Sequence, residues 1–221
     1  MDEHLSPTDN LVRAIATVNS ILGLADGGFL EIKNLATRVD ITQIWAVIAS
    51  REKGQPFNKE IFFGNDSIGG TLVCTEVTPG HEYGVTPEKS HLIGAHTHLS
   101  RGCINPFYDA RPVVAPSELA SMLDTPIQYA ELVFTRGKNR DYPCVLAIKT
   151  NEAAQVRYGH HEVFKQELVL SAILKHKPFW NQESHFITKC DSFAREKGIA
   201  LYRGIIKPKS TRQQLLQLQL K

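Results

Sequence analysis

A chain of 221 residues, 42% of them hydrophobic, is long enough to bury one sizeable core, and 25 basic against 23 acidic residues leave no charge excess that would advertise a polyanion. Nucleic acid is therefore not expected as a partner. Met1–Asn10 lacks the basic and apolar regions of a secretory signal, and no apolar run approaches the ~20 residues of a membrane span, so the expected place is the cytoplasm.

Thr8 or Asp9 is placed to cap a helix carrying Leu11, Ile15, Val18 and Leu22 at helical spacing, with Gly23 to end it. The run Ile41–Ala49 is too apolar for its period to decide, and a buried helix is preferred over a strand. Glu60–Phe63 and Thr71–Val77 are rich in β-branched and aromatic residues and flank Gly64–Gly70, which predicts a hairpin. His91–His98 predicts the next strand. Ser117 is expected to cap a short helix, Glu118–Leu123, stopped by Pro126. Tyr129–Thr135 and Cys144–Lys149, separated by the polar turn Arg136–Asp141, predict an antiparallel pair. Val163, Leu168, Leu170, Ile173 and Leu174 predict a helix over Glu162–Lys175; Phe186, Cys190, Phe193 and Lys197 predict another, closed by Gly198. Ile199–Tyr202 resumes a strand, and the leucines among glutamines from Thr211 to Lys221 read as a short helix. The division expected is an N-terminal helical segment (1–50), a core that carries the chemistry (51–150), and C-terminal helices with a strand of the same domain (151–221).

The chemistry concentrates in Ala95–Asp109. Side chains at i and i+2 of a strand share a face, so His96 and His98 can reach one ion, and Asp109 follows as a carboxylate donor. Two nitrogens and one carboxylate are a common zinc set in hydrolases, leaving a position for water. Three upstream acids compete as general base. Glu60 opens the strand before the hairpin and is preferred; Glu52 lies in a charged turn and Glu76 alternates outward. His91 reads as a strand-start or supporting residue, and His160-His161 as capping or solvated. Cys74, Cys103, Cys144 and Cys190 form no Cys-x-x-Cys pair and read as free thiols; Arg101 and Arg111 read as solvated loop residues.

Rival zinc and phosphate chemistries fit less well. A nucleoside deaminase needs His-x-Glu and Pro-Cys-x-x-Cys, and Pro143-Cys144 lacks the second cysteine. The chain after His98 is too short for the rest of a barrel of ~250 residues. A two-histidine phosphodiesterase needs a second His-x-Ser/Thr downstream, which is absent.

Glu60-Ile61-Phe62-Phe63-Gly64, a hairpin, His96-Thr97-His98 and Asp109 together resemble the motif of the JAMM (JAB1/MPN-type) zinc metalloproteases, closer in look to divergent bacterial toxin- or effector-like members than to proteasome or signalosome subunits. That motif runs glutamate, His-Ser/Thr-His, seven residues, Ser, two residues, Asp, and the stretch it covers here is Ser50–Lys149. The resemblance implies an α+β fold, a JAB1/MPN-like mixed sheet flanked by helices, here with a C-terminal helical extension. It implies Zn2+ held by His96, His98 and Asp109, and a metal-bound water activated by Glu60. The implied reaction is hydrolysis of a peptide or isopeptide bond in a protein or peptide substrate, including ubiquitin-like proteins. Pro106 occupies the serine slot and Leu99 a customary proline slot, which leaves Ser100 and Ser117 as oxyanion or substrate-binding candidates. A second register sets Ser117-Glu118-Leu119-Ala120 on the Ser-x-x-Asp element, puts Ala120 in the ligand slot, and implies a catalytically degraded JAMM-like protein-binding scaffold. Both registers stand at this point.

Overall fold

Odd and even positions of the central strands are both buried, which demands cover on two faces of the sheet. A computed structural model describes residues 7–24, 27–56, 58–81, 84–98, 112–136, 141–156, 179–210 and 212–219. Ser100, Arg101, Cys103, Pro106, Asp109, Arg111, His160-His161 and the helix expected over Glu162–Lys175 lie outside these residues. The elements in chain order are α1 (Pro7–Ile21), β1 (Arg38–Asp40), α2 (Thr42–Glu52), β2 (Ile61–Ile68), β3 (Thr71–Pro79), β4 (Ile93–His98), α3 (Pro116–Asp124), β5 (Ala130–Thr135), β6 (Tyr142–Lys149), α4 (Asn151–Ala154), α5 (Phe179–Glu196), β7 (Ile199–Ile206) and β8 (Leu215–Leu218).

The eight strands among the described residues form one mixed sheet in the order β1-β8-β7-β6-β5-β4-β2-β3, an α+β arrangement. β4 and β5 run parallel, linked through α3, and the other neighbouring strands pair antiparallel. On one face, Ile15 and Val18 of α1 and Ile44, Trp45 and Ile48 of α2 share a core with Ala95, Leu132, Phe134, Leu146 and Ile148. The Trp45 ring meets Phe134 of β5 edge-on at 5.3 Å and Tyr142 of β6 at 4.9 Å, which makes an aromatic floor beneath these two strands. On the other face, Leu119, Met122 and Leu123 of α3 and Phe193 and Ala194 of α5 cover Val133, Val145, Ala147 and Leu201. No described helix is long and apolar enough to cross a membrane.

The run Ile41–Ala49 is helical, as preferred, because Ile44, Trp45 and Ile48 recur on one buried side of α2. The hairpin forms with a narrower turn than expected. Its strands continue through Gly64–Ile68, and Gly69 and Gly70 alone make the turn with φ of 58° and 77°, the positive pair that a two-residue hairpin loop requires. The C-terminal helical extension is corrected in part. α5 is a helix, but the tail expected as helical pairs instead, Leu216 opposite Val39 of β1 and Leu218 opposite Tyr202 of β7. Backbone pairing on both sides outweighs the helix preference of leucine and glutamine. Ser117 does not cap α3: Ala115 is the N-cap, Pro116 takes the first turn, and Ser117 is exposed within the helix.

Candidate metal centre

β4 is buried along its whole length, and yet two of its six residues are histidines. A buried imidazole must be paired or bound to something. The i, i+2 spacing sets both rings on the α3 face, with 6% and 4% exposure for His96 and His98. α3 then brings a carboxylate over them. His96 Nε2 lies 3.1 Å from His98 Nε2 and 2.9 Å from Glu118 Oε1, and His98 Nε2 lies 3.2 Å from the same oxygen. These three residues form the one group among the described residues with metal-ligand geometry.

The donor set fits a small divalent ion. Donors ~2.1 Å from a tetrahedral ion stand about 3.4 Å apart, close to the separations seen, and two imidazoles with one carboxylate are a familiar zinc set. When His96 gives its Nδ1 proton to Glu131, the Nε2 lone pair is left for an ion, and with no ion a proton on Nε2 pairs with Glu118 instead.

Local structure fixes each member. Glu118 is the third residue of α3, and its Oε2 accepts from the Ala115 backbone N–H at 2.6 Å, the carboxylate half of a capping box. That bond leaves Oε1 aimed at the histidines. Arg203 on β7 donates to the Pro112 carbonyl at 2.6 Å and pairs with Asp191 of α5 at 2.5 Å, tying down the chain that enters α3. His96 Nδ1 lies 2.7 Å from Glu131 Oε1 of β5, and Gln128 donates to Glu131 Oε2 at 2.6 Å. Gly94, paired with Glu131 in the β4/β5 register, leaves the room: a Cβ there would overlap the Glu131 carboxylate.

Charge couples these groups. Burial by itself raises the Glu118 carboxyl, but the charge and hydrogen bond of His96, then those of His98, outweigh it and hold the carboxyl well below the usual range. Burial works against a proton on His96, yet Glu118 and then Glu131 raise that imidazole well above its ordinary value. Burial is the main cause that lifts the Glu131 carboxyl.

Glu60 stands one residue before β2, its N–H donating to His81 O at 3.2 Å and its carbonyl accepting from Gly80 N–H at 2.8 Å. Phe62 pairs with His96, so continuing that antiparallel register puts Glu60 opposite His98 on the same face. Thr97 Oγ1 accepts the Ile61 N–H at 2.9 Å and closes the ladder beside it. The competing acids have other work. Glu52 is not a free turn residue but pairs with the buried Arg136 at 2.5 Å, and Arg136 also donates to the Pro56 carbonyl in the segment leading to Glu60. Glu76 does not point outward; it binds His91 at 2.7 Å.

The structure brings together His96 and His98, which the sequence spacing pairs, and its register carries Glu60 to the strand beside them. The spacing missed Glu118 as a donor, and it missed Glu131 and Gln128. Two signals were present: a glutamate in the first turn after Ala115-Pro116, and a lone acid inside the apolar run Tyr129–Phe134. Asp109 and Ser100 lie outside the described residues. No family model, curated protein or solved structure matches the chain.

Proposed function

We propose that the protein is a zinc-dependent hydrolase of the JAMM type that cleaves a peptide or isopeptide bond, with His96, His98 and Glu118 as metal ligands and Glu60 as general base. The observation that carries this reading is the convergence of His96 Nε2, His98 Nε2 and Glu118 Oε1 within 3.2 Å of one another beneath α3. Ala115 and Glu118 keep the three-residue spacing of the family's Ser-x-x-Asp, on a helix start as that element is, with glutamate in place of aspartate. Glutamate in this register replaces Asp109 as the third ligand of the reading.

Zinc held there supplies Lewis acidity to a water and to the scissile carbonyl. Glu60, opposite His98 on the neighbouring strand, would take the proton from the attacking water and return it to the leaving amine. Glu118, fixed by the Ala115 N–H, and His96, fixed by Glu131, hold their donor atoms without rearrangement, so little ordering cost falls on binding. Burial of the site by α3 limits water around the reacting groups.

A second reading, a catalytically degraded scaffold that binds a protein partner, draws on Ala115, which brings no hydroxyl to the serine slot. Metal content and hydrolysis separate the two. The purified protein is expected to carry one zinc per chain and to cleave isopeptide-linked ubiquitin-like conjugates or peptide substrates. Glu60→Gln is expected to keep the zinc and lose hydrolysis by at least about 100-fold, the lower range of general-base contributions. Absence of stoichiometric zinc favours the scaffold, and full activity in Glu60→Gln removes Glu60 from the mechanism.

A further inference from the structure

We infer that Glu131, braced by Gln128 and admitted by Gly94, is the positioning residue of the metal centre: it holds the His96 ring so that Nε2, not Nδ1, is offered to the ion. This rests on the metal-centre reading above and adds a residue and a device to it. Glu131 sits in the middle of β5 with 4% exposure, between Ala130 and Leu132, where an apolar side chain would serve packing better than a carboxylate. Its hydrogen-bond partners are His96 Nδ1 at 2.7 Å and Gln128 Nε2 at 2.6 Å, one for each oxygen. The carboxylate therefore accepts the Nδ1 proton, so that when an ion displaces the proton on Nε2 the lone pair there is directed at the point shared with His98 and Glu118.

Three further features match that role. Glu131 crosses from β5 to β4 over Gly94, the residue opposite it, and any side chain at that position would collide with its carboxylate. Gln128 lies just before β5 and fixes the second oxygen, so the carboxylate cannot turn away from the imidazole. The bond joins residues 35 apart in sequence through the parallel β4/β5 pair, so ring orientation is set by the sheet rather than by the mobile geometry of a loop. Carboxylates placed behind a ligating histidine raise its basicity and fix its tautomer, and their loss costs about 10- to 100-fold in metal affinity.

The test measures zinc affinity by competition with a chromophoric chelator, together with the absorption spectrum of the Co2+-loaded protein. Glu131→Ala and Gly94→Ala are expected to bind zinc about 10- to 100-fold more weakly than the wild type. Glu131→Gln, whose amide oxygen still accepts the Nδ1 proton, is expected to recover most of that loss and to keep the wild-type Co2+ spectrum. Leu132→Ala, on the same strand but facing the opposite core, serves as the control for stability and is expected to bind zinc as the wild type does. Wild-type affinity in both Glu131→Ala and Gly94→Ala overturns the inference, and so does an equal loss in Leu132→Ala. If Glu131→Ala and Gly94→Ala do not fold, Gln128→Ala decides: weaker binding by a smaller factor supports the role and unchanged binding overturns it. A wild-type protein that takes up no zinc rejects the metal centre and the inference together, whereas normal uptake that is indifferent to Glu131 rejects the inference alone.

Discussion

His91 and His96 are both buried on the same face of the sheet, and each lies between two carboxylates. His91 Nδ1 meets Asp66 Oδ2 at 2.9 Å and Nε2 meets Glu76 Oε2 at 2.7 Å, so the acids sit at opposite ends of the ring. Each acid is then further engaged, Asp66 by Thr75 and the Leu92 N–H, Glu76 by Thr78 and the Glu88 N–H. The ring lies flat over Gly64, where a side chain would collide with it. That cluster is closed: it locks β2, β3 and the chain entering β4 together, and the third atom beside His91 Nδ1 and Asp66 Oδ2 is the Thr75 hydroxyl, not another imidazole or carboxylate. Around His96 one acid takes Nδ1, while the other joins Nε2 and a second histidine at one point. The number of acids around a histidine does not make a metal centre; convergence of lone pairs does.

That contrast can be broken by substitution. The double variant His96→Ala/His98→Ala is expected to lose stoichiometric zinc altogether, measured by elemental analysis of the purified protein; retained zinc would move the metal elsewhere. Glu118→Gln removes the anionic donor and is expected to weaken zinc by at least about 100-fold, beyond the upper end of what a supporting residue costs. His91→Ala is expected to leave zinc binding as it is and to cost about 3 kcal/mol of stability by urea unfolding. That is the lower end for an ion cluster deprived of one member, because the Asp66 side chain is 29% exposed. Zinc lost together with His91 would show that the two clusters are not independent.

The smallest effect is a pH dependence. Burial raises both acids of the closed cluster, but hydrogen bonds from Thr75 and His91 to Asp66, and from Thr78 and His91 to Glu76, outweigh it and hold both carboxyls below their ordinary values. A carboxyl lowered on folding stabilises above its unfolded value of about 4 and loses that contribution as pH falls through the folded value. The urea midpoint of the wild type should therefore drop as pH falls below about 4, and drop less in His91→Ala. Equal slopes in the two proteins would remove this cluster from the acid response.

Much of the fold is legible wherever a local pattern has one physical outcome. The spacing of Ile15, Val18 and Leu22, the β-branched run of β3 and the short continuous apolar run of β6 each match one element type. The tail fails because its Leu216 and Leu218 satisfy a strand period as well as a helical one, and only the presence of β1 and β7 on either side decides. A helix does start near Ser117, as the sequence predicts, but Ser117 is not its cap. Ala115 gives no side-chain oxygen, and the Glu118 carboxylate performs the capping that a serine would have announced.

For the site, sequence by itself determined that His96 and His98 share a face, because the strand repeat is a local property of the backbone. It also set Glu60 at the head of the strand that pairs with them. The third donor and the positioning acid were decided by tertiary structure alone. Glu118 lies 20 residues beyond His98 and Glu131 lies 35 beyond His96, and no spacing rule fixes such distances. They meet because β4 and β5 run parallel, which obliges the chain to cross over through α3 and lays its first turn, with Glu118, above the histidines. The register of that parallel pair then sets Glu131 beside Gly94, within reach of His96.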